Sequence, residues 1–143
     1  MELKRVVVTG IGAVSPLGNS AAETWRKLLD GVSGAAPITH FDTSLFKTRF
    51  ACELKGFKAE DFIDRKEARK MDPYCHYAMA AAGMAMDDCA VNLDSTDKNR
   101  VGVVFGVGIG GMKTFEDEIT NYALHKDTLG PKFSPFFVPK MIA

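Results

Sequence analysis

The sequence predicts an α/β fold, on three observations. Two short apolar runs, Arg5-Val-Val-Val-Thr9 and Val101-Gly-Val-Val-Phe105, read as strands buried on both faces. Each run passes directly into a glycine-rich turn, Gly10 to Gly18 and Gly106 to Gly111. Beyond each turn the apolar spacing changes to that of a helix.

Composition sets the outer bounds. The chain has 143 residues, enough for one domain with a core. Hydrophobic residues are 46% and charged residues 25%, the balance of an ordinary globular protein. The net charge is +0, so nothing global points to nucleic acid or a membrane, and any electrostatic partner must be held by a local patch. The three cysteines, Cys52, Cys75 and Cys89, lack the spacing of a disulfide framework, which predicts reduced thiols in a cytoplasmic protein. The opening Met1 to Arg5 leads into an apolar run too short for a signal peptide or a membrane span. At the other end, Phe136 to Ala143 is apolar and has neither cap nor polar tail. Pro139 followed by Lys-Met-Ile-Ala reads as the first turn of an unfinished helix, so the expectation is a truncated chain.

In chain order, Gly10-Ile-Gly-Ala-Val-Ser-Pro-Leu-Gly18 is a poor dinucleotide turn. The third glycine of that motif would fall at Ser15, and Pro16 stands where a helix should be running, so the stretch reads as a structural loop. Ser20-Ala-Ala-Glu23 is a capping box. Its helix carries Trp25, Leu28 and Leu29 on one face and stops at Gly31. Val32 to Thr48 is loop, Phe50 to Leu54 a short strand, and Ala59 to Ile63 a helical turn. Asp72 as N-cap and Pro73 at the first position open a helix to about Cys89, whose Ala78-Met-Ala-Ala-Ala-Gly-Met-Ala-Met86 centre reads as buried. Asn92 to Arg100 is a polar connection. A last helix runs from Met112 to about His125 with Phe115, Ile119, Tyr122 and Ala123 as its stripe. Its Glu116, Asp117 and Glu118 point in different directions and do not form one acid/base site. Phe133, Phe136 and Phe137 lie on a Gly/Pro-broken segment and require burial, for which a second subunit is one solution.

Two stretches carry functional alternatives. Arg65-Lys-Glu-Ala-Arg-Lys70 has a net charge of +3 and is either a solvated helix face or a docking patch for an acidic partner. Gly106-Val-Gly-Ile-Gly-Gly111 satisfies the G-x-G-x-x-G pattern between a strand and a helix. Dinucleotide binding also needs a second parallel strand ending in an acidic residue about twenty residues on. That position falls near Asp127, in a stretch that is not a strand. The other reading of the turn is an acyl-transfer scaffold, in which the glycines bring a backbone against a substrate channel.

The order of motifs resembles the β-ketoacyl-acyl carrier protein synthases, condensing enzymes of the thiolase superfamily, and most closely the elongating type II. The resemblance is carried by Arg5 to Gly18, Thr24-Trp25, Gly31-Val-Ser-Gly34, His40-Phe-Asp-Thr43, Arg65-Lys-Glu-Ala-Arg-Lys-Met-Asp72, Gly106 to Gly111 and Ser134-Pro-Phe-Phe-Val-Pro139. It spans the whole chain, and the motifs in this order are far more specific than any one alone.

The resemblance implies a thiolase-like layered fold, α-β-α-β-α, of which residues 1–143 are the N-terminal part of the synthase domain, cut before the nucleophile. It implies an enzyme that extends an acyl chain by decarboxylative condensation with malonyl-acyl carrier protein, using a cysteine nucleophile and two histidines. None of these is present: Cys52, Cys75, Cys89, His40, His76 and His125 match no catalytic position, so the chain alone is expected to be inactive. It is also expected to expose apolar surface and to aggregate or depend on a partner fragment. Ile109 matches an acyl-pocket gate, with Gly108 beside it, and Phe137 matches a residue lining the acyl pocket of the partner subunit in a homodimer. Lys66, Arg69 and Lys70 match the patch that meets the acidic acyl carrier protein. Asp127 to Phe133 departs from the usual basic stretch, with Lys132 its sole cation. No cofactor or metal is implied, and no nucleic-acid or membrane partner. Alternatives within the superfamily are a polyketide ketosynthase and a non-catalytic decoy or chain-length subunit.

Overall fold

The computed structural model describes residues 3–130 and 132–142. The chain divides into two units, Met1–Lys58 with Ala80–Asn92, and Ala59–Met79 with Leu93–Ala143.

In the first unit, α1 (Ala21–Leu29) opens on Ser20, whose hydroxyl accepts from the Glu23 amide at 3.1 Å. The return half of the capping box is displaced by one residue, because Glu23 Oε2 accepts from the Asn19 amide rather than from that of Ser20. The Glu23 carboxylate also takes the Lys27 ammonium at 2.8 Å. That hydrogen bond, then the one from Asn19, holds Glu23 below the usual carboxylate range. Gly31, at φ +67°, ends the helix as expected. β1 (Ala36–Pro37) pairs antiparallel with β2 (Phe50–Ala51), so the strand expected over Phe50 to Leu54 is two residues long. A proline is tolerated there because the ribbon has only edges.

The loop from Gly10 to Gly18 is structural, and its glycines explain why. A Cβ on Gly12 would lie 1.9 Å from the Ala81 carbonyl oxygen, and one on Gly10 would lie 2.2 Å from that of Ala85. The loop backbone therefore rests directly on the C-terminal half of α3 (Pro73–Cys89), and Asp88 accepts from the Ile11 amide at 2.8 Å. The boundaries of α3 are those expected, but its burial is not. Ala80 is fully buried, whereas Met79 and Met86 are 50% and 43% exposed.

In the second unit a 3-10 turn at Ala59–Asp61 precedes α2 (Arg65–Ala68), and Asp64 caps α2 by accepting from the Lys66 and Glu67 amides. A further 3-10 turn, Lys98–Arg100, leads toward the second glycine turn. α4 (Met112–Leu129) runs four residues beyond the expected end, and Asp127 lies inside it. This removes the parallel strand that dinucleotide binding would need. α5 (Phe137–Met141) starts two residues earlier than Pro139, which sits in the first turn, where its missing N–H costs nothing.

The expected strands Arg5 to Thr9 and Val101 to Phe105 require correction. Neither is hydrogen-bonded into a ladder. Val6 is 89% exposed and Val104 95%. A helix closes its own hydrogen bonds, whereas a strand needs a neighbour brought from elsewhere, and none of the described residues supplies one. The buried apolar side chains are Ile63, Ala68 and Ala80 among the described residues. Two folded units of half this length would together expose about 8,700 Å². The chain exposes 11441 Å².

Candidate functional site

All the residues singled out for acyl and carrier contact lie in the second unit. The glycine turn packs against α5 at Gly111. Gly110 adopts φ +82°, and a Cβ on Gly111 would meet the Lys140 carbonyl oxygen at 2.3 Å. Gly106 and Gly108 have open space around them, and Ile109 is 75% exposed.

Before the turn, Phe105 and Val107 alternate onto one side and line an open apolar cleft of about 320 Å³. Met71, Tyr74, Cys75, Ala78, Met79 and Ile142 complete it, and Ile109 is not among its lining residues. The Tyr74 hydroxyl donates to the Ile142 carbonyl at 2.5 Å. Its hydrogen bond with the Cys75 thiol, then loss of water, push the phenol up to about 12. Burial also raises Tyr77.

Phe137 opens α5 and stacks between Phe115, at a centroid distance of 6.3 Å, and Phe133 at 5.5 Å. Phe133 stacks in turn on Tyr122 at 5.4 Å. Glu118 accepts from the Ser134 amide and holds the aromatic segment to α4. Phe133 and Phe137 thus find partners within their own chain, on the stripe of α4, while Phe136 is 40% exposed. The ring contacts of Phe137 are with this ladder, and the structure does not bring it together with Ile109.

Lys66, Arg69 and Lys70 are exposed on and just after α2, while Ile63 and Ala68 anchor the segment from beneath. The Glu67 carboxylate pairs with Lys70 at 2.6 Å. His76 Nε2 lies 2.8 Å from the Ala68 carbonyl, which only accepts, so the ring donates and closes the end of α2. The other two histidines differ. His125 Nδ1 donates to the Asn121 carbonyl, and His40 stands 3.9 Å from Glu53. Hydrogen bonds from the Thr39 hydroxyl and amide hold Glu53 below its usual range. The three thiols are unpaired as disulfides, and no group of three or more metal-binding side chains occurs among the described residues.

Sequence reasoning missed two parts of the site. The cleft was readable only in the alternation of Phe105 and Val107. Asp72 was recognised as the cap of α3, but nothing in the sequence signals that its carboxylate also accepts from Thr114, 42 residues away.

The model of the beta-ketoacyl synthase N-terminal domain matches residues 3–143. The chain belongs to the β-ketoacyl synthase family. Curated relatives named 3-oxoacyl-(acyl-carrier-protein) synthase 2 are 43–46% identical. The one from Synechocystis sp. is 45% identical over 144 residues, covering 100% of this chain and 34% of that protein. This β-ketoacyl synthase segment therefore spans about a third of the length of the curated relatives it matches. Among solved structures, the ishigamide ketosynthase/chain length factor superposes with a TM-score of 0.77 at 28% identity, covering 96% of this chain and 34% of its own. A type II PKS acyl-carrier protein in complex with its ketosynthase bound to the hexaketide gives 0.72 at 27%, covering 97% and 36%. The fold is the N-terminal portion of the thiolase-like ketosynthase fold. No helix of the described residues is long and apolar enough to cross a membrane.

Proposed function

We propose that the chain is the opening part of a cytoplasmic, homodimeric 3-oxoacyl-acyl carrier protein synthase of the elongating type. The domain ends beyond residue 143, and the nucleophilic cysteine and two histidines belong to its remainder. The reaction is decarboxylative Claisen condensation. The acyl chain is carried as a thioester on the enzyme cysteine. Malonyl-acyl carrier protein loses CO2, and the resulting carbanion attacks the thioester, which lengthens the chain by two carbons and releases the enzyme thiol. This segment contributes binding surface, not the reacting groups. Gly108 and Ile109 form a movable wall of the acyl channel, Phe137 lines the pocket across the dimer, and Lys66, Arg69 and Lys70 receive the acidic carrier protein.

The observation that carries this reading is the identity of 45% to a synthase 2 along the whole chain. The open space at Gly106 and Gly108 and the exposure of Ile109 agree with a mobile wall. The exposed cations of α2 agree with a docking face. A polyketide ketosynthase or a non-catalytic chain-length subunit is the second reading, favoured by the two solved structures described above. Their identities of 28% and 27% are well below that of the synthase.

The test is condensation by the full-length protein containing residues 1–143, with acyl and malonyl carrier proteins as substrates and product mass as the readout. One two-carbon extension per turnover is expected. Ile109→Trp, which fills the space into which the gate must swing, should depress long-chain substrates more than short ones. Failure of the folded wild-type protein to condense would remove the enzymatic reading in favour of the chain-length subunit.

A further inference from the structure

α4 begins without a side-chain cap. Its N-cap is Gly111, which has nothing to offer the free amides of the first turn. The acceptor comes from elsewhere in the unit. Asp72 Oδ2 takes the Thr114 amide at 3.1 Å and the Thr114 hydroxyl at 2.6 Å. The other oxygen, Oδ1, takes the Tyr74 amide at 3.4 Å in the first turn of α3. One carboxylate thus serves the N-termini of two helices, where both helix dipoles favour a negative charge. It is 4% exposed, so water does not replace these bonds if they are lost.

The consequence falls on the glycine turn. Thr114 is three residues beyond Gly111, where the turn ends. Gly111 is also pressed against α5, and its amide donates to the Met141 carbonyl at 3.4 Å. The turn is therefore packed against α5 at Gly111, whereas side-chain space is open at Gly106 and Gly108. Ile109 is two residues from this pivot. Asp72 also ties the start of α3 to that of α4, and so keeps Phe105 and Val107 on the cleft shared with Tyr74 and Cys75.

We propose that Asp72 is a positioning residue of the acyl pocket: it substitutes for the missing cap of α4 and so fixes the pivot about which Ile109 moves. This rests on the reading of Ile109 as an acyl gate. The carboxylate touches no substrate. It sets where the gate stands, and therefore which acyl lengths are accepted.

The experiment uses full-length protein and measures kcat/KM for a long and a short acyl carrier substrate, with the wild type measured first. Asp72→Ala should change the long-to-short ratio by about tenfold, a factor on the scale of one protein hydrogen bond that holds the gate in place. Thr114→Val removes the hydroxyl bond but keeps the amide bond, and should change the ratio about threefold, while Thr114→Ser keeps both bonds and the wild-type ratio. A purely structural role would lower melting temperature and active fraction while leaving the ratio alone. A folded Asp72→Ala or Thr114→Val protein with an unchanged ratio therefore overturns the inference. If Asp72→Ala does not fold, Thr114→Val decides. A wild type that fails to condense removes the reaction reading and the inference with it, an outcome separable from a working enzyme with an indifferent Asp72.

Discussion

Replacing Gly12 by alanine adds one carbon atom where the first unit has no room for it. That carbon would lie 1.9 Å from the Ala81 oxygen, 2.7 Å from the Ala85 nitrogen and 2.9 Å from the Ala81 carbonyl carbon. All three are backbone atoms of α3, so no side chain can rotate away. A normal carbon–oxygen contact is about 3.3 Å, which demands a separation of roughly 1.4 Å between loop and helix. Such overpacking costs about 1–3 kcal/mol, and a clash with helix backbone belongs at the upper end. A full-length protein of the relatives' size is about three times as long as this chain, and at roughly 2.1 cal/mol/K of unfolding entropy per residue 1 kcal/mol shifts its melting temperature by about 1 °C, so the melting temperature should fall by about 3 °C. Gly83, on the same helix, is the control, since a Cβ there meets nothing within 4 Å. Gly83→Ala should stabilise by about 0.5–1 kcal/mol through helix propensity. The assay is thermal unfolding of both full-length variants at one scan rate, with hydrogen exchange of amides 81 to 89 as a local readout. A Gly12→Ala melting temperature within about 1 °C of wild type would refute the close contact of loop and helix.

Other outcomes follow from the same geometry. Lys66→Glu or Arg69→Glu should raise KM for the carrier protein about tenfold with kcat little changed, and high salt should erase the difference. Lys70→Ala should do less, since Glu67 already lies 2.6 Å from that ammonium; steady-state kinetics with the three variants checks the ranking. Glu23 and Glu53 are held below their ordinary values by bonds from Lys27 and Thr39. Their contribution is complete above the unfolded glutamate value of roughly 4.3 and is lost as pH falls through the lower folded values. Melting temperature should therefore drop on that acid limb, and Lys27→Met with Thr39→Val should flatten it. Residues 1–143 expressed alone should bind a hydrophobic dye, associate, and show no condensation, because the chain exposes 11441 Å² against about 8,700 Å² for two folded half-size units. A dye-dark, monodisperse 15.6 kDa species in light scattering would count against this.

Helices were legible in the sequence because their signals are local. Ser20 before Ala21, Asp72 before Pro73 and Gly31 after α1 stand within a turn of the groups they satisfy, and the structure places α1 and α3 accordingly. The Ser20–Glu23 box failed in its second half because Glu23 had a choice of amides and took that of Asn19. The runs at Val6 and Val103 were legible as apolar segments but do not form sheet among the described residues, since a ladder depends on a neighbour that no local pattern names. Phe137 was read as facing another subunit; its stack on Phe115 and Phe133 was invisible until α4 and α5 were folded together.

The sequence by itself determined the family, the ends of the main helix and the cationic face of α2. These are matters of residue identity and of spacing within a few residues. Only the tertiary structure decided that Asp72 caps α4 through Thr114, that Gly12 is a contact with Ala81, and that the glycine turn packs against α5 at Gly111 with open side-chain space at Gly106 and Gly108. Each joins residues about thirty to seventy positions apart. Which distant donor meets a buried carboxylate, and which helix meets a bare glycine, is settled by packing of whole elements, and that is written in no short stretch of the chain.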